Sequence, residues 1–117
     1  MLEITVNIRK NILLVSLSGE LDHHTAKEVK SLIEEVVKNR GVKNLIFDFS
    51  YLTFMDSSGI GVIVGRYKLI TSLGGRIAIS GAKSNVNKLL HMSGINKIIE
   101  TFDDTNDAFY SLQEGIF

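Results

Sequence analysis

The 117-residue chain has no cysteine, which excludes a disulfide framework and any cysteine-based metal site. It also has no net charge. Thirteen acidic residues balance thirteen basic ones, so the overall charge does not mark the chain for nucleic acid or a membrane surface. No apolar run reaches the length of a membrane span, and no basic-then-apolar signal segment opens the sequence. Internal repeats, low-complexity tracts and linkers are missing as well. What is present is 44% apolar residues, too many for a disordered chain, in a length suited to one domain over residues 1–117 with a single core. The expectation is a neutral, soluble, cytoplasmic domain that is monomeric when free.

Hydrophobic spacing gives the order of elements. Ile4, Val6 and Ile8 alternate with polar residues, as in a half-buried strand. Arg9-Lys10-Asn11 reads as a turn, and Ile12 to Leu17 as a strand covered on both sides. The pair forms an N-terminal antiparallel hairpin. After Ser18 to Thr25, the residues Ala26, Val29, Leu32, Ile33, Val36 and Val37 make one helical stripe that ends at Gly41. Leu45 to Phe49 is a buried strand, and the helix that follows ends at Gly74-Gly75. A short strand over Arg76 to Ser80 comes next, then a brief helix capped by Ser84 and stopped at Gly94. An edge strand over Lys97 to Phe102 and a last helix capped by Thr105 complete the chain. This order predicts a single α/β domain with a mixed sheet, its helices lying mainly on one face.

One stretch resists a purely structural reading. Phe54 to Lys68 follows the buried strand and carries Ile60, Ile63, Val64, Tyr67 and, just beyond it, Ile70 at helical spacing. Gly59, Gly61 and Gly65 interrupt it, each costing about 1 kcal/mol against alanine in a helix. Asp56 is placed to cap the helix, which leaves Ser57 at the first helical position with its hydroxyl outward. Gly61, one turn on, removes the side chain that would stand beside that hydroxyl. The helix start therefore reads as a surface that another protein approaches closely.

Other chemistries fit less well. His23-His24 has no third ligand at metal spacing and reads as a solvated pair at a helix entrance. His91 lies at the edge of a packed face and is given no role. Asp56-Ser57-Ser58-Gly59 lacks the Gly-x-Ser-x-Gly pattern and an oxyanion loop, so an enzyme is not expected. The glycine spacing is one residue too long for a dinucleotide loop and there is no P-loop lysine. An anion at this helix start stays chemically open, which keeps a small-ligand or nucleotide-binding module as an alternative.

Gly19 to Ala26, Phe54 to Lys68 and His91-Met92-Ser93-Gly94 together resemble the anti-sigma factor antagonists, whose fold is the STAS domain, and in particular their sporulation branch. The resemblance covers essentially the whole chain. It implies a partner switch. The unphosphorylated protein binds an anti-sigma factor that is also a serine kinase and so frees the sigma factor. That kinase then phosphorylates it with its own ATP, and a PP2C-type phosphatase reverses the step. No cofactor of its own, no metal and no direct nucleic-acid contact are implied. On the motif the phosphorylated residue falls on Ser57, and Asp22 on an acidic loop position used in docking. Ile60 and Gly61 fall on the helix surface that the kinase covers, and Asp56 and Ser58 complete the expected contact set. Asp22 is expected to be dispensable for folding. A stress-response sigma system is the alternative within the same family.

Overall fold

The computed structural model describes residues 1–114. In chain order it contains β1 (Leu2–Arg9), β2 (Ile12–Leu21), α1 (Ala26–Arg40), β3 (Asn44–Met55), α2 (Ser57–Ser72), β4 (Ile77–Ser80), α3 (Ser84–Ser93), a 3-10 turn (Ile95–Lys97), β5 (Glu100–Phe102) and α4 (Thr105–Glu114). The strands form one sheet in the order β1-β2-β3-β4-β5. β1 and β2 pair antiparallel through the Lys10-Asn11 turn, and the other three pairings are parallel.

Because sequence order equals spatial order, each right-handed crossover leaves its helix on the same side of the sheet. Strand alternation supplies that side with Leu13, Val15 and Leu17 from β2, Leu45, Phe47 and Phe49 from β3, and Ile77 and Ile79 from β4. These residues pack against Val29 and Ile33 of α1, Ile63 and Ile70 of α2, and Leu90 of α3. The intervening residues Ile12, Ile46 and Ala78 face the other way and are covered by Ala108, Phe109 and Leu112 of α4. Three helices on one face and one on the other is the α/β arrangement expected from the sequence.

Several boundaries differ. β2 runs on to Leu21 and β3 to Met55, so the segments after Leu17 and Phe49 are strand. The expected Lys97 to Phe102 strand shortens to three residues. Before it, the N–H groups of Ile98 and Ile99 donate to the Ile95 carbonyl and close the 3-10 turn. Thr105 does not cap α4: Asp104 Oδ1 accepts from the Asn106 N–H at 2.8 Å, and the Thr105 hydroxyl meets Ser80 Oγ at 2.7 Å instead. Ser84 is the first residue of α3, after Lys83 at the cap position with no capping side chain. His91 is exposed rather than at a packed edge.

Candidate partner-binding site

The longer strands build the site. β3 pairs with β4 only as far as Asp48 opposite Ser80. The β2–β3 ribbon continues, through two register shifts, to Leu21 opposite Met55, on the order of 20 Å farther. Its tip holds the loop after β2 beside the start of α2, where the Asp56 N–H donates to the Leu21 carbonyl at 3.3 Å. Asp22 and the Asp56-Ser57-Ser58 turn, over thirty residues apart in sequence, therefore share one end of the molecule.

The helix start follows the sequence reading. Asp56 is extended (φ −114°, ψ −168°) and its Oδ1 accepts from the Ser58 N–H at 2.8 Å. Its carbonyl accepts from the Gly59 N–H at 3.0 Å. Ser57 is the first helical residue and is exposed, whereas Ser58 and Ile60 are half-buried and Gly61 is exposed. A Cβ at Gly61 or Gly65 would meet nothing within 4 Å. Gly59 is different. A methyl group there would come within 2.8 Å of Met55 Sδ and 3.1 Å of Leu21 Cδ2, and closer still to Met55 Cγ. That glycine serves internal packing, which leaves Gly61 and Gly65 as the two that packing does not explain.

The Asp22 loop is tied together by its own hydrogen bonds. Asp22 Oδ1 accepts from the N–H groups of His24 at 2.9 Å and Thr25 at 3.2 Å. The Asp22 N–H in turn donates to Thr25 Oγ1 at 3.0 Å, and the Thr25 hydroxyl reaches the Glu20 carbonyl at 3.0 Å. Asp22 thus organises the entrance to α1, and truncating it would free these groups. Desolvation raises the Asp22 pKa, but the His24 and Thr25 hydrogen bonds and the nearby His24 imidazole more than offset it and hold the carboxyl below its ordinary value. The His23 and His24 rings lie with centroids 3.9 Å apart and planes tilted by 39° in this exposed loop. Among the described residues, no group of three such side chains is placed to hold a metal ion.

Arg66 is the residue that sequence reasoning passed over. The buried residues of α2 are Gly59, Val62, Ile63, Arg66 and Ile70, while Ile60, Val64 and Tyr67 are half-buried. The Arg66 side chain is 7% exposed and its Nη2 lies 3.0 Å from Glu34 Oε2 of α1. Burial pulls the Arg66 pKa below its ordinary value, and Glu34 works against that shift. A charged residue three after Ile63 and four before Ile70 stands on the apolar stripe itself, and this was the available signal. Beside the pair, a groove of about 460 Å³ opens between α1 and α2. Lys27 and Lys30 line it from one helix, and Ser58, Gly61, Gly65 and Arg66 from the other.

Residues 3–108 match the STAS domain family. The chain is 41% identical over 112 residues to the anti-sigma F factor antagonist of Paenibacillus polymyxa, covering 96% of each. It is 30% identical to the anti-sigma-B factor antagonist of Listeria monocytogenes, over 74% of this chain and 75% of the relative. Its fold is shared by Bacillus SpoIIAA solved in the phosphorylated form, with a TM-score of 0.75, 24% identity, and coverage of 93% of this chain and 99% of that one. No helix among the described residues is long and apolar enough to cross a membrane. The sheet order, the capped serine turn and the two curated relatives agree: the chain belongs to the STAS domain family of anti-sigma factor antagonists.

Proposed function

We propose that this antagonist frees a sporulation sigma factor by binding its anti-sigma factor while Ser57 is unmodified, and that phosphorylation of Ser57 by that anti-sigma factor, acting as a serine kinase with its own ATP, ends the binding. A PP2C-type phosphatase restores the free serine. The observation that carries this reading is the exposed Ser57 at the first position of an Asp56-capped helix, one turn before a glycine with open space around it. The 41% identical relative, an anti-sigma F factor antagonist, supports the choice of client, and the phosphorylated form of SpoIIAA supports the chemistry. The contact surface comprises Ser57, its flanking residues Asp56 and Ser58, the Ile60-Gly61 turn and Asp22. Its setting is cytoplasmic, and the free protein is a monomer.

The physics of the switch is local. A phosphate adds about −1.5 to −2 charges at neutral pH. At a helix N-terminus it is tolerated and stabilises the fold by about 0.3–1 kcal/mol, so modification leaves the domain folded. In an interface built around a neutral serine, one close like-charge pair is unfavourable by about 4 kcal/mol at an intermediate dielectric. Since about 1.4 kcal/mol is tenfold in affinity, roughly a thousandfold loss follows without a conformational change.

Mass spectrometry after incubation with the cognate anti-sigma factor and ATP tests the site. Phosphate is expected on Ser57, and Ser57→Ala is expected to stay bound in the presence of ATP. Label on Ser58 with Ser57 unmodified would overturn the assignment. The 30% identical anti-sigma-B factor antagonist favours a second reading, in which the client is a stress-response sigma factor. Parallel mixing assays with the two classes of anti-sigma factor separate them.

A further inference from the structure

The groove between α1 and α2 combines three features, of which only Gly61 is shared with the serine switch. Its floor is kept open by Gly61 and Gly65, four residues apart on one side of α2, and neither is near any atom that a side chain would displace. Together they cost the helix about 2 kcal/mol, and nothing among the described residues uses the room. Its lining carries Lys27, Lys30 and Arg66 and no acidic residue, although the chain as a whole is neutral. Its Arg66 is more than nine-tenths buried, and Nε and Nη1 have no hydrogen-bond partner among the described residues. Among the described residues, the only carboxylate paired with Arg66 is Glu34, itself about half exposed. A buried guanidinium with unpaired donors and a half-solvated counter-ion is an unfinished ion pair.

We propose that this groove seats an acidic segment of the anti-sigma factor, with a carboxylate held between Lys27 and Lys30 over Arg66 and the segment's backbone running across Gly61 and Gly65. Charge complementarity selects the acidic partner, and continuity selects the anti-sigma factor, because Ser58 and Gly61 belong both to the groove lining and to the surface beside Ser57. The inference rests on the partner-binding reading above and extends the contact about one helical turn beyond Gly61. The glycines let the segment's main chain approach α2 closely, the lysines supply attraction at the mouth, and the Arg66–Glu34 pair closes the far end. Nε and Nη1 of Arg66 are themselves out of solvent's reach, so the carboxylate offsets the buried charge across the groove wall rather than by a direct hydrogen bond.

Calorimetric titration of the cognate anti-sigma factor into four proteins tests this: the wild type, the Lys27→Glu/Lys30→Glu double variant, Gly65→Leu, and Lys38→Glu as a control on the exposed far end of α1. At Gly65 a Cβ has no neighbour within 4 Å and leucine is the better helix former, so Gly65→Leu is expected to fold, and a thermal melt checks this. The double variant is expected to bind at least thirtyfold more weakly and Gly65→Leu at least tenfold more weakly, with Lys38→Glu within twofold of wild type. Wild-type binding with both groove variants unchanged would overturn the groove and leave the partner reading standing. Loss in the lysine variant alone would also overturn it, since that pattern reports long-range steering without a seated segment. No binding by wild type or control would instead refute the partner reading. Saturable binding of inorganic phosphate to the wild type, in competition with the partner, would replace the acidic segment with a small anion.

Discussion

At Gly59 an added methyl group would collide with Met55 and Leu21, whereas at Gly61 and Gly65, on the opposite side of the same helix, it would meet nothing within 4 Å. One side of α2 is thus packed until only hydrogen fits, and the other is held bare. Val62, Ile63 and Ile70 share the packed side, which fixes the helix against the sheet and against α1. Ser57, Gly61 and Gly65 share the open side. Two glycines of equal helix cost therefore have opposite explanations, and the difference separates residues that build the domain from residues that keep a surface accessible. Substitutions on the packed side should change stability, and those on the open side should change binding.

The largest expected effect places a charge on the open side. Ser57→Glu should weaken binding to the anti-sigma factor by up to about a thousandfold, the loss corresponding to one close like-charge pair of about 4 kcal/mol. A melt of the free variant should match wild type or lie slightly above it, because the carboxylate sits at the positive end of the helix. A fall of many degrees in the melt would show that Ser57 belongs to the packed side after all.

On the packed side, Gly59→Val should destabilise the domain by about 1–3 kcal/mol through forced displacement of Met55 and Leu21, measured as a shift in urea midpoint. The same instrument reads the converse on the open side. Gly61→Ala should stabilise the free protein by about 1 kcal/mol, the helix propensity recovered with no clash, while weakening partner binding. If both alanine and valine series moved stability in the same direction, the contrast between the two sides would fail.

The contrast also shows what could be read in the sequence. The Asp56 cap, the exposed first-turn serine and the three sequential crossovers follow from spacing and from hydrogen-bonding chemistry local to each segment. The glycines could be seen as anomalous but not sorted, because whether a glycine is crowded depends on Met55 and Leu21, which approach it only in the folded sheet. Arg66 was hidden for the same reason: its partner Glu34 is thirty-two residues away, and a charge in an apolar stripe acquires meaning only when the second helix is in place. The overhanging β2–β3 ribbon was missed because Ser18-Gly19-Glu20 carries turn-like residues in a segment that pairs nevertheless, and because the continuous apolar run of β3 ends at Phe49. There, the ladder and the anchoring of Leu21, Leu52 and Met55 in the core outweigh local propensity.

The smallest effect concerns the loop beside the helix, where structure and contact fall on a single side chain. Every hydrogen bond recorded for the Asp22 carboxylate falls on Oδ1, so the charge and the acceptor can be separated experimentally. Asp22→Asn keeps an acceptor for the His24 and Thr25 N–H groups and removes the charge, whereas Asp22→Ala removes both. Asp22→Ala should therefore lower stability, and Asn by less. If Asp22 docks the partner through its charge, the two variants should bind equally weakly. The pH dependence gives an independent reading. Because the folded pKa is held below its ordinary value, the unfolded chain takes up this proton first as pH falls. The charged carboxylate's contribution is complete above the unfolded value of about 3.9 and is lost as pH drops through the lower folded pKa. Asp22→Asn should remove that part of the acid-limb slope in a urea titration run at stepped pH. An acid limb identical to wild type would mean that the loop is held by Thr25 alone, and Asp22 would then belong wholly to the open, partner-facing side.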